Sequence, residues 1–478
     1  MRVNFLKLFY HIKYMNIAEI KRIIQDQEGE RNSLFTTERI IEREAGGKRA
    51  LNAFKYPNIF AVLGVRRCGK SVFSWLVLRD KRYGYINFDD ETLYGIKAKD
   101  LNLVLKSFYE LYGTDLEYII LDEIQNVVGW ELFANRLRRT KKVVITGSNS
   151  NLLSGDLATH LTGRYIDFTL FPFSYGEFLI YKGVSPEELR IREYSTDTSA
   201  IAEKMLEDYI SGGGLPESYK FGGDILKSIF GDIVSKDVVR RHKIKNVVAM
   251  EALAKYLVSN FSNEITYNKL KNIFDIRKVD TIKNYVGYLR ESYLVFILER
   301  FSFKLRQQVI APKKVYCIDT GLINALSFKV TEGFGKLMEN LVAVELLRRK
   351  SYWHGTHEIY YYKDHRQREV DFVLKEGPQV KQLIQVCYDI SDHKTKEREL
   401  KSLVKASSEL KCDNLRVITW DYEAIEEFKG KGVKFIPLWK WLLQDSRLQR
   451  HSQYLYPRLA SYHLQALFHL LFCPGVGS

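Results

Sequence analysis

The first stretch of regular pattern, 16–54, places apolar positions among many charges and predicts helix. The pattern then changes to short, wholly apolar runs. NIFAVLG (58–64) predicts a strand, and SVFSWLVLRD after it predicts a helix. YGYINFDD (83–90) predicts a second strand and DLNLVLKSFYELYG an amphipathic helix. EYIILDEIQ (117–125), KKVVITGSNSNLL (141–153) and RYIDFTLFPFS (164–174) predict three more strands. Buried strands separated by helices predict a parallel sheet covered on both faces, an α/β fold.

Beyond about residue 185 the pattern becomes mostly helical through 200–300. TYNKLKNIF and VDTIKNYVGYLRESYLV read as two amphipathic helices, and VFILERFSF as a strand after them. This order predicts a helix–turn–helix with a wing. Residues 330–440 are mixed: a helix FGKLMENLVAVELLRRK, strands EIYYYK, REVDFVLKE and QLIQVCYDI, a helix TKERELKSLVKAS and a strand NLRVITWD. The pattern therefore divides the chain into an N-terminal helical segment (1–54), a first α/β domain (55–185), a helical winged-helix-like domain (186–305), a mixed α/β domain (306–445) and a tail (446–478) without an acidic residue.

A chain of 478 residues is too long for one ordinary core, which agrees with several domains. The net charge of +15 raises nucleic acid as a partner, although a solvated basic surface gives the same number. Five scattered cysteines without a CxxC pair speak against a disulfide framework or a Cys-rich zinc site, and point to reduced thiols in the cytoplasm. No membrane-spanning segment is expected. MRVNFLKLFYHIKY is broken by Lys7, His11 and Lys13, Met15 is an alternative start, and LQALFHLLF is too short to span a bilayer.

The turn after the first strand reads GVRRCGKS (64–71) and matches G-x-x-x-x-G-K-[ST] in full. It follows a strand and opens a helix, the context a phosphate-binding loop requires. Gly64, Val65, Arg66, Arg67, Cys68, Gly69, Lys70, Ser71 and Val72 form the expected nucleotide cradle. The glycines let backbone amides face phosphate, and the helix N-terminus adds positive potential. Lys70 is expected to reach the β- and γ-phosphates, and Ser71 to ligate Mg²⁺. Asp122 and Glu123 end an apolar strand. The first is expected on the Mg²⁺ side and the second as the base that polarises water, while a capping pair is the plain alternative. Ser148 or Asn149 leaves the next strand at the same edge, where either senses the γ-phosphate or caps a helix. Arg66 and Arg67 contact phosphate or a neighbouring chain, or are simply solvated.

The series GVRRCGKS, INFDD, ILDEIQ, ITGSNSNLLS, LTGRY and FPFSYGEF resembles the prokaryotic AAA-type P-loop ATPases with a GxRRxGK[ST] loop. GGLPE, KDVVRR, YCIDTGL, MENLVAVEL and EVDFV match the members with a nuclease-like C-terminal half. The resemblance spans about residues 20–440. It implies a P-loop NTPase sheet, binding of ATP with Mg²⁺ and hydrolysis, and it implies no biological role. It suggests Arg164 as an arginine finger or sensor, against a salt bridge at the strand start. A finger supplied by a neighbour makes a homo-oligomer part of the expectation.

In the helical middle, Lys278, Thr281, Lys283 and Asn284 open the second helix, where a recognition helix meets base edges of DNA. Such helix pairs also serve as packing modules. KDVVRRHKIK (236–245) either touches phosphates or is a solvated face. The C-terminal element order resembles the PD-(D/E)xK fold, with Asp371 as the first acid and Glu339 as an accessory acid. Gln385 and Cys387 occupy the E-x-K positions. Gln is a poor Mg²⁺ ligand and Cys cannot replace Lys, so cleavage is not expected unless Glu369 substitutes. Three functions compete: a DNA-associated ATPase, an ATP-gated metal-dependent nuclease, and a nucleotide-dependent scaffold that does not hydrolyse.

Overall fold

The computed structural model describes residues 16–43, 48–153, 161, 163–327 and 333–444. The predicted tail, Cys473 and the segment before Asn16 lie outside the described residues. The chain falls into two units. One runs to Ser185 and resumes over Glu207–Val344, and the other takes Pro186–Leu206 and the chain from Glu345 onward.

The first unit is built on a five-stranded sheet. Its strands are β1 (Ile59–Leu63), β2 (Tyr83–Asn87), β3 (Tyr118–Asp122), β4 (Lys142–Gly147) and β5 (Tyr165–Thr169). Their order is β2-β3-β4-β1-β5, and every neighbouring pair is parallel. All of β1 and most of β3 and β4 are buried, which is why these strands read as continuous apolar runs rather than alternating ones. The first three crossovers each carry a helix: Lys70–Val77, Leu101–Tyr112 and Trp130–Leu137. Because the strands are parallel, the loops after β1, β2, β3 and β4 share one edge of the sheet. Ligands of open α/β sheets bind in the crevice outside that carboxyl edge. The N-terminal helix Ile17–Thr37 packs against β2 and helix Leu101–Tyr112, and the Gln27 amide donates to Asp90 at 2.9 Å.

Further along the same unit a helix Val247–Ser259 leads into β6 (Asn263–Ile265), helices Tyr267–Ile273 and Val279–Glu291, β7 (Val295–Leu298) and β8 (Lys313–Cys317). The three strands form one antiparallel sheet in the order β6-β8-β7. The apolar stripe of Val279–Glu291, with Ile282, Val286 and Leu289, is buried. Lys278, Lys283 and Asn284 remain exposed. Asp319 fastens this region internally. Its carboxylate accepts from the backbone N–H groups of Gly214 at 2.5 Å and Leu322 at 3.1 Å.

The second unit holds a mixed six-stranded sheet of β9 (His357–Lys363), β10 (Glu369–Glu376), β11 (Gln379–Val386), β12 (Leu415–Thr419), β13 (Ala424–Phe428) and β14 (Lys431–Pro437). The order is β13-β14-β12-β11-β10-β9. Helix His393–Leu410 carries the chain from β11 to its parallel neighbour β12. The molecule is therefore α/β: a P-loop NTPase type of parallel sheet, then helical and mixed-sheet regions.

Candidate nucleotide site

Gly64 leaves the end of β1 with φ 151°, and a Cβ there would lie 2.2 Å from the Leu170 carbonyl oxygen. A side chain is excluded by that contact. Gly69 caps helix Lys70–Val77 with φ 95°, a conformation glycine takes without steric cost. The loop Gly64–Ser71 thus turns its backbone toward the helix N-terminus, whose free N–H groups favour anions.

Lys70 is buried, and its ammonium donates to the Val65 carbonyl at 3.2 Å and lies 3.6 Å from Glu123. Glu123 follows β3 in the left-handed region at φ 51°, a strained choice for a non-glycine residue. Thr146 on β4 fixes it there, its hydroxyl accepting from the Glu123 N–H at 2.9 Å. The Gln125 amide donates to the Glu123 carboxylate and orients it. Burial opposes the Glu123 charge, but Lys70 and then Arg66 outweigh it and hold the carboxyl below its ordinary pKa. A carboxylate placed so stays ionised.

Asp122 is fully buried at the tip of β3. Burial, and next the Glu123 charge, push its pKa upward. Hydrogen bonds from Ser71, Thr146 and Tyr85 oppose the rise, the Tyr85 hydroxyl donating at 2.8 Å. A hydroxyl and a carboxylate in contact, the latter short of positive charge, form a donor set that fits Mg²⁺. Ser71 and Asp122 would hold the ion.

The rest of the loop is tied down. Arg66 donates to Asp237 at 3.1 Å and to Asp89 at 3.4 Å, and Arg67 to Glu217 at 2.9 Å. Arg66 is largely buried in these pairings, whereas Arg67 remains exposed to solvent. The Cys68 thiol is buried, donates to the Leu170 carbonyl at 3.4 Å, and serves as packing beneath the loop. Val65 is buried and Val72 lies in the first helical turn. Ser148, just past β4, donates to Asp237 at 2.7 Å, and Asn149 is buried beside it.

Arg164 stands elsewhere. It precedes β5, whose first residue pairs with Ile59 at the start of β1, whereas the loop begins after Leu63. Arg164 therefore sits at the amino edge of the sheet, roughly 15 Å of strand away from the loop of its own chain. Its guanidinium reaches Asn135 at 3.4 Å.

Three site residues were not read from the sequence. Asp237 is the single acid inside KDVVRRHKIK and is buried against the loop. Arg241 of the same run lies 3.4 Å from both Asp237 and Ser148. Arg43 donates to the Cys68 carbonyl at 3.0 Å and pairs with buried Glu177 at 3.0 Å, so the N-terminal segment braces the loop from behind. Being the lone acid in a basic run was the available signal for Asp237, and no local pattern marked Arg43.

The predicted acids of the C-terminal half are engaged differently. Glu339 pairs with Lys314 at 2.8 Å and accepts from Tyr316 at 2.6 Å. Asp371 on β10 accepts from the Val386 N–H at 2.9 Å. Gln385 accepts from the Asp371 N–H at 3.4 Å and donates to Glu399 at 2.7 Å. Glu369 pairs with Lys363 at 3.3 Å. Burial, and next Glu399, push the Cys387 thiol up to about 12, so it is not a nucleophile near pH 7. Among the described residues no cluster of three or more His, Cys, Asp or Glu is arranged to hold a metal ion. No helix among them is long and apolar enough to cross a membrane.

Residues 56–179 match the model of an AAA domain. Residues 203–332 and 334–441 match two domains of unknown function (DUF8612 and DUF4143). A Haemophilus influenzae protein, also uncharacterized, is 28% identical over 406 residues, covering 81% of this chain and 94% of its own. Among solved structures, the Walker-type ATPase PABY2304 of Pyrococcus abyssi gives a TM-score of 0.38 at 14% identity over 60% of this chain and 96% of its own. The ORC1 protein of Aeropyrum pernix, solved with DNA, gives 0.27 at 14% identity over 60% and 92%. Scores this low carry no functional argument. The uncharacterized protein MJ1544 of Methanocaldococcus jannaschii is 34% identical over 426 residues, covering 85% of this chain and 91% of its own. The chain belongs to the family of that protein, and its first domain is an AAA-type P-loop ATPase domain.

Proposed function

We propose that the protein binds Mg-ATP, hydrolyses it, and uses the cycle to change its hold on DNA. The observation that carries the first part is the convergence of Lys70, Ser71, Asp122 and Glu123 at one sheet edge, with Lys70 and Glu123 3.6 Å apart. In this reading the backbone of Gly64–Gly69 wraps the phosphates and Lys70 pairs with the terminal ones. Ser71 and Asp122 hold the metal, which when bound offsets phosphate charge. Glu123 takes the proton of the attacking water. Ser148 and Asn149 sense the terminal phosphate. Arg164, at the far end of its own sheet, serves a neighbouring subunit or none, so an oligomer belongs to the proposal.

Support for DNA lies in the segment Val247–Cys317. We read its element order and its sheet order β6-β8-β7 as a winged helix. Lys278, Lys283 and Asn284 are exposed at the start of the second helix, and Lys304 and Arg306 are exposed in the β7–β8 connection. A basic helix start and a basic wing suit backbone phosphates and base edges. We read residues 306–445 as a nuclease-like module without cleavage activity, and the cytoplasm as the site of action.

Hydrolysis of Mg-ATP by the wild type and Glu123→Gln, each with and without double-stranded DNA, tests the reading. Turnover that DNA stimulates and Glu123→Gln removes is expected. ATP bound with no turnover under either condition overturns hydrolysis in favour of a nucleotide-dependent scaffold.

A further inference from the structure

The basic run KDVVRRHKIK has no place in the functional reading above, yet its two ends touch two different parts of the first unit. Helix Ile225–Asp232 continues through wider π-type turns over Ile233–Arg240. Insertions of this kind cost regular helical hydrogen bonding and mark functional positions. Here the wide turns bring Asp237 to the mouth of the loop. One buried carboxylate accepts from Arg66 of the loop at 3.1 Å, from Ser148 beyond β4 at 2.7 Å, and from Arg241 at 3.4 Å.

Arg241 is therefore held by an acid and by the predicted sensor serine together. One terminal nitrogen, Nη1, is buried and has no hydrogen-bond partner. A guanidinium N–H without a partner is costly, and an anion relieves it. Among the described arginines near the loop, Arg66 and Arg67 are paired with acids without such a buried unpartnered nitrogen, and Arg164 is at the opposite sheet edge.

The next residue faces the other way. The His242 ring stacks on Tyr288 of helix Val279–Glu291, with centroids 3.7 Å apart and planes 13° from parallel. Burial, and next the charge of Arg241, lower the His242 pKa to about 4, so the ring is neutral near pH 7 and its 3.3 Å approach to Glu291 is not an ion pair. The same segment packs against helices Val247–Ser259 and Val279–Glu291. Arg241 and His242 thus place the phosphate side of the site and the exposed basic helix on adjacent residues of one element.

We propose that Asp237–His242 is the coupling element of the protein: Arg241 reads the terminal phosphate beside Ser148 and Asp237, and His242 passes the change through Tyr288 to helix Val279–Glu291. The proposal rests on nucleotide binding at the loop. It assigns Arg241 a contact that ATP makes and ADP does not.

The test measures ATP and ADP affinities together with amide hydrogen exchange of residues 279–291 in each nucleotide state. The wild type is expected to bind ATP more tightly than ADP, with exchange of that helix differing between the two. Arg241→Ala is expected to weaken ATP about 10- to 100-fold, as for the loss of a charge-assisted hydrogen bond, to leave ADP unchanged, and to abolish the exchange difference. Arg241→Lys, which keeps the charge, is expected to recover part of both. His242→Ala separates the two halves of the element: it should keep the preference for ATP and lose the exchange difference. Unchanged ATP-over-ADP preference in both Arg241 variants overturns the proposal, as does an exchange difference that survives Arg241→Ala. A wild type that binds neither nucleotide overturns the nucleotide reading itself, a result distinct from either.

Discussion

The loop edge of the first unit and the acid group of the second use similar side chains and arrange them to opposite effect. At the loop, acids face cations and hydroxyls. Glu123 lies beside Lys70, and Asp122 beside Ser71, Thr146 and Tyr85. Asp122 is left with more need of positive charge than its neighbours supply, which a divalent ion would meet. In the second unit each acid already has its own partner: Glu399 pairs with Arg398, Glu369 with Lys363, and Asp371 accepts from the Val386 N–H. Burial, and among charges Asp371 and Glu369, raise the Glu399 pKa, and the Gln385 amide bridges Glu399 to the Asp371 backbone. The amide thus donates to Glu399 alone, and the Asp371 carboxylate is satisfied by the Val386 N–H, with no metal needed for either bond. Acid count says little about metal chemistry. The sign and identity of what sits between the acids decide it.

The largest effect expected within this comparison is at Lys70. Lys70→Ala should weaken nucleotide binding at least about 100-fold in a calorimetric or fluorescent-nucleotide titration, because no other cation can replace a buried ammonium in the loop. Normal ATP hydrolysis by that variant would remove the loop from consideration as the site. Glu123→Gln comes next: affinity within about twofold of wild type and turnover lower by about 10²- to 10⁴-fold, the usual contribution of a general base. Equal losses in affinity and turnover would make Glu123 a structural partner of Lys70 instead.

Asp319 sharpens the comparison, since it is a buried acid of the first unit held by backbone donors. Burial raises its pKa to about 6, with the Gly214, Leu322 and Gly321 amides opposing. A raised folded-state pKa means stability that is fully present below the unfolded value and is lost as pH rises through the folded one. Thermal unfolding of the wild type should therefore lose this contribution, on the order of 3 kcal/mol, between about pH 4 and about pH 6. Asp319→Asn should not show that loss. Parallel pH profiles for the two proteins would count against a raised Asp319.

The smallest effect is expected at Asp371. Asp371→Ala should leave ATP turnover within about twofold, and neither protein should cleave DNA with Mg²⁺ or Mn²⁺. Cleavage by the wild type, lost in Asp371→Ala, would show that the Gln385 bridge does not exclude the metal.

Much of the loop edge was legible because it is local. G-x-x-x-x-G-K-[ST] between a strand and a helix fixes its own geometry, and YIILDE ends in acids because a buried parallel strand must end before charge begins. The strand NIFAVLG was read one residue long at each end, and RYIDFTLFPFS becomes a strand only over Tyr165–Thr169, since strand ends depend on where a neighbour stops pairing. Arg164 was attractive as a motif residue. Only strand direction shows that it opens β5 at the amino edge.

The sequence by itself determined what short-range physics controls: the parallel sheet, the phosphate loop, the acids after β3, and the amphipathic helix that begins at Val279. The tertiary structure alone decided what joins residues far apart in the chain: Arg43 under the loop, Glu217 on Arg67, Asp237 between Arg66 and Ser148, and Arg241 beside them. Partners separated by 93 or 171 positions leave no spacing or periodicity to read. They meet because burying the apolar faces of the sheet and helices fixes where each backbone runs, and a buried charge persists only where that packing has delivered its counter-charge.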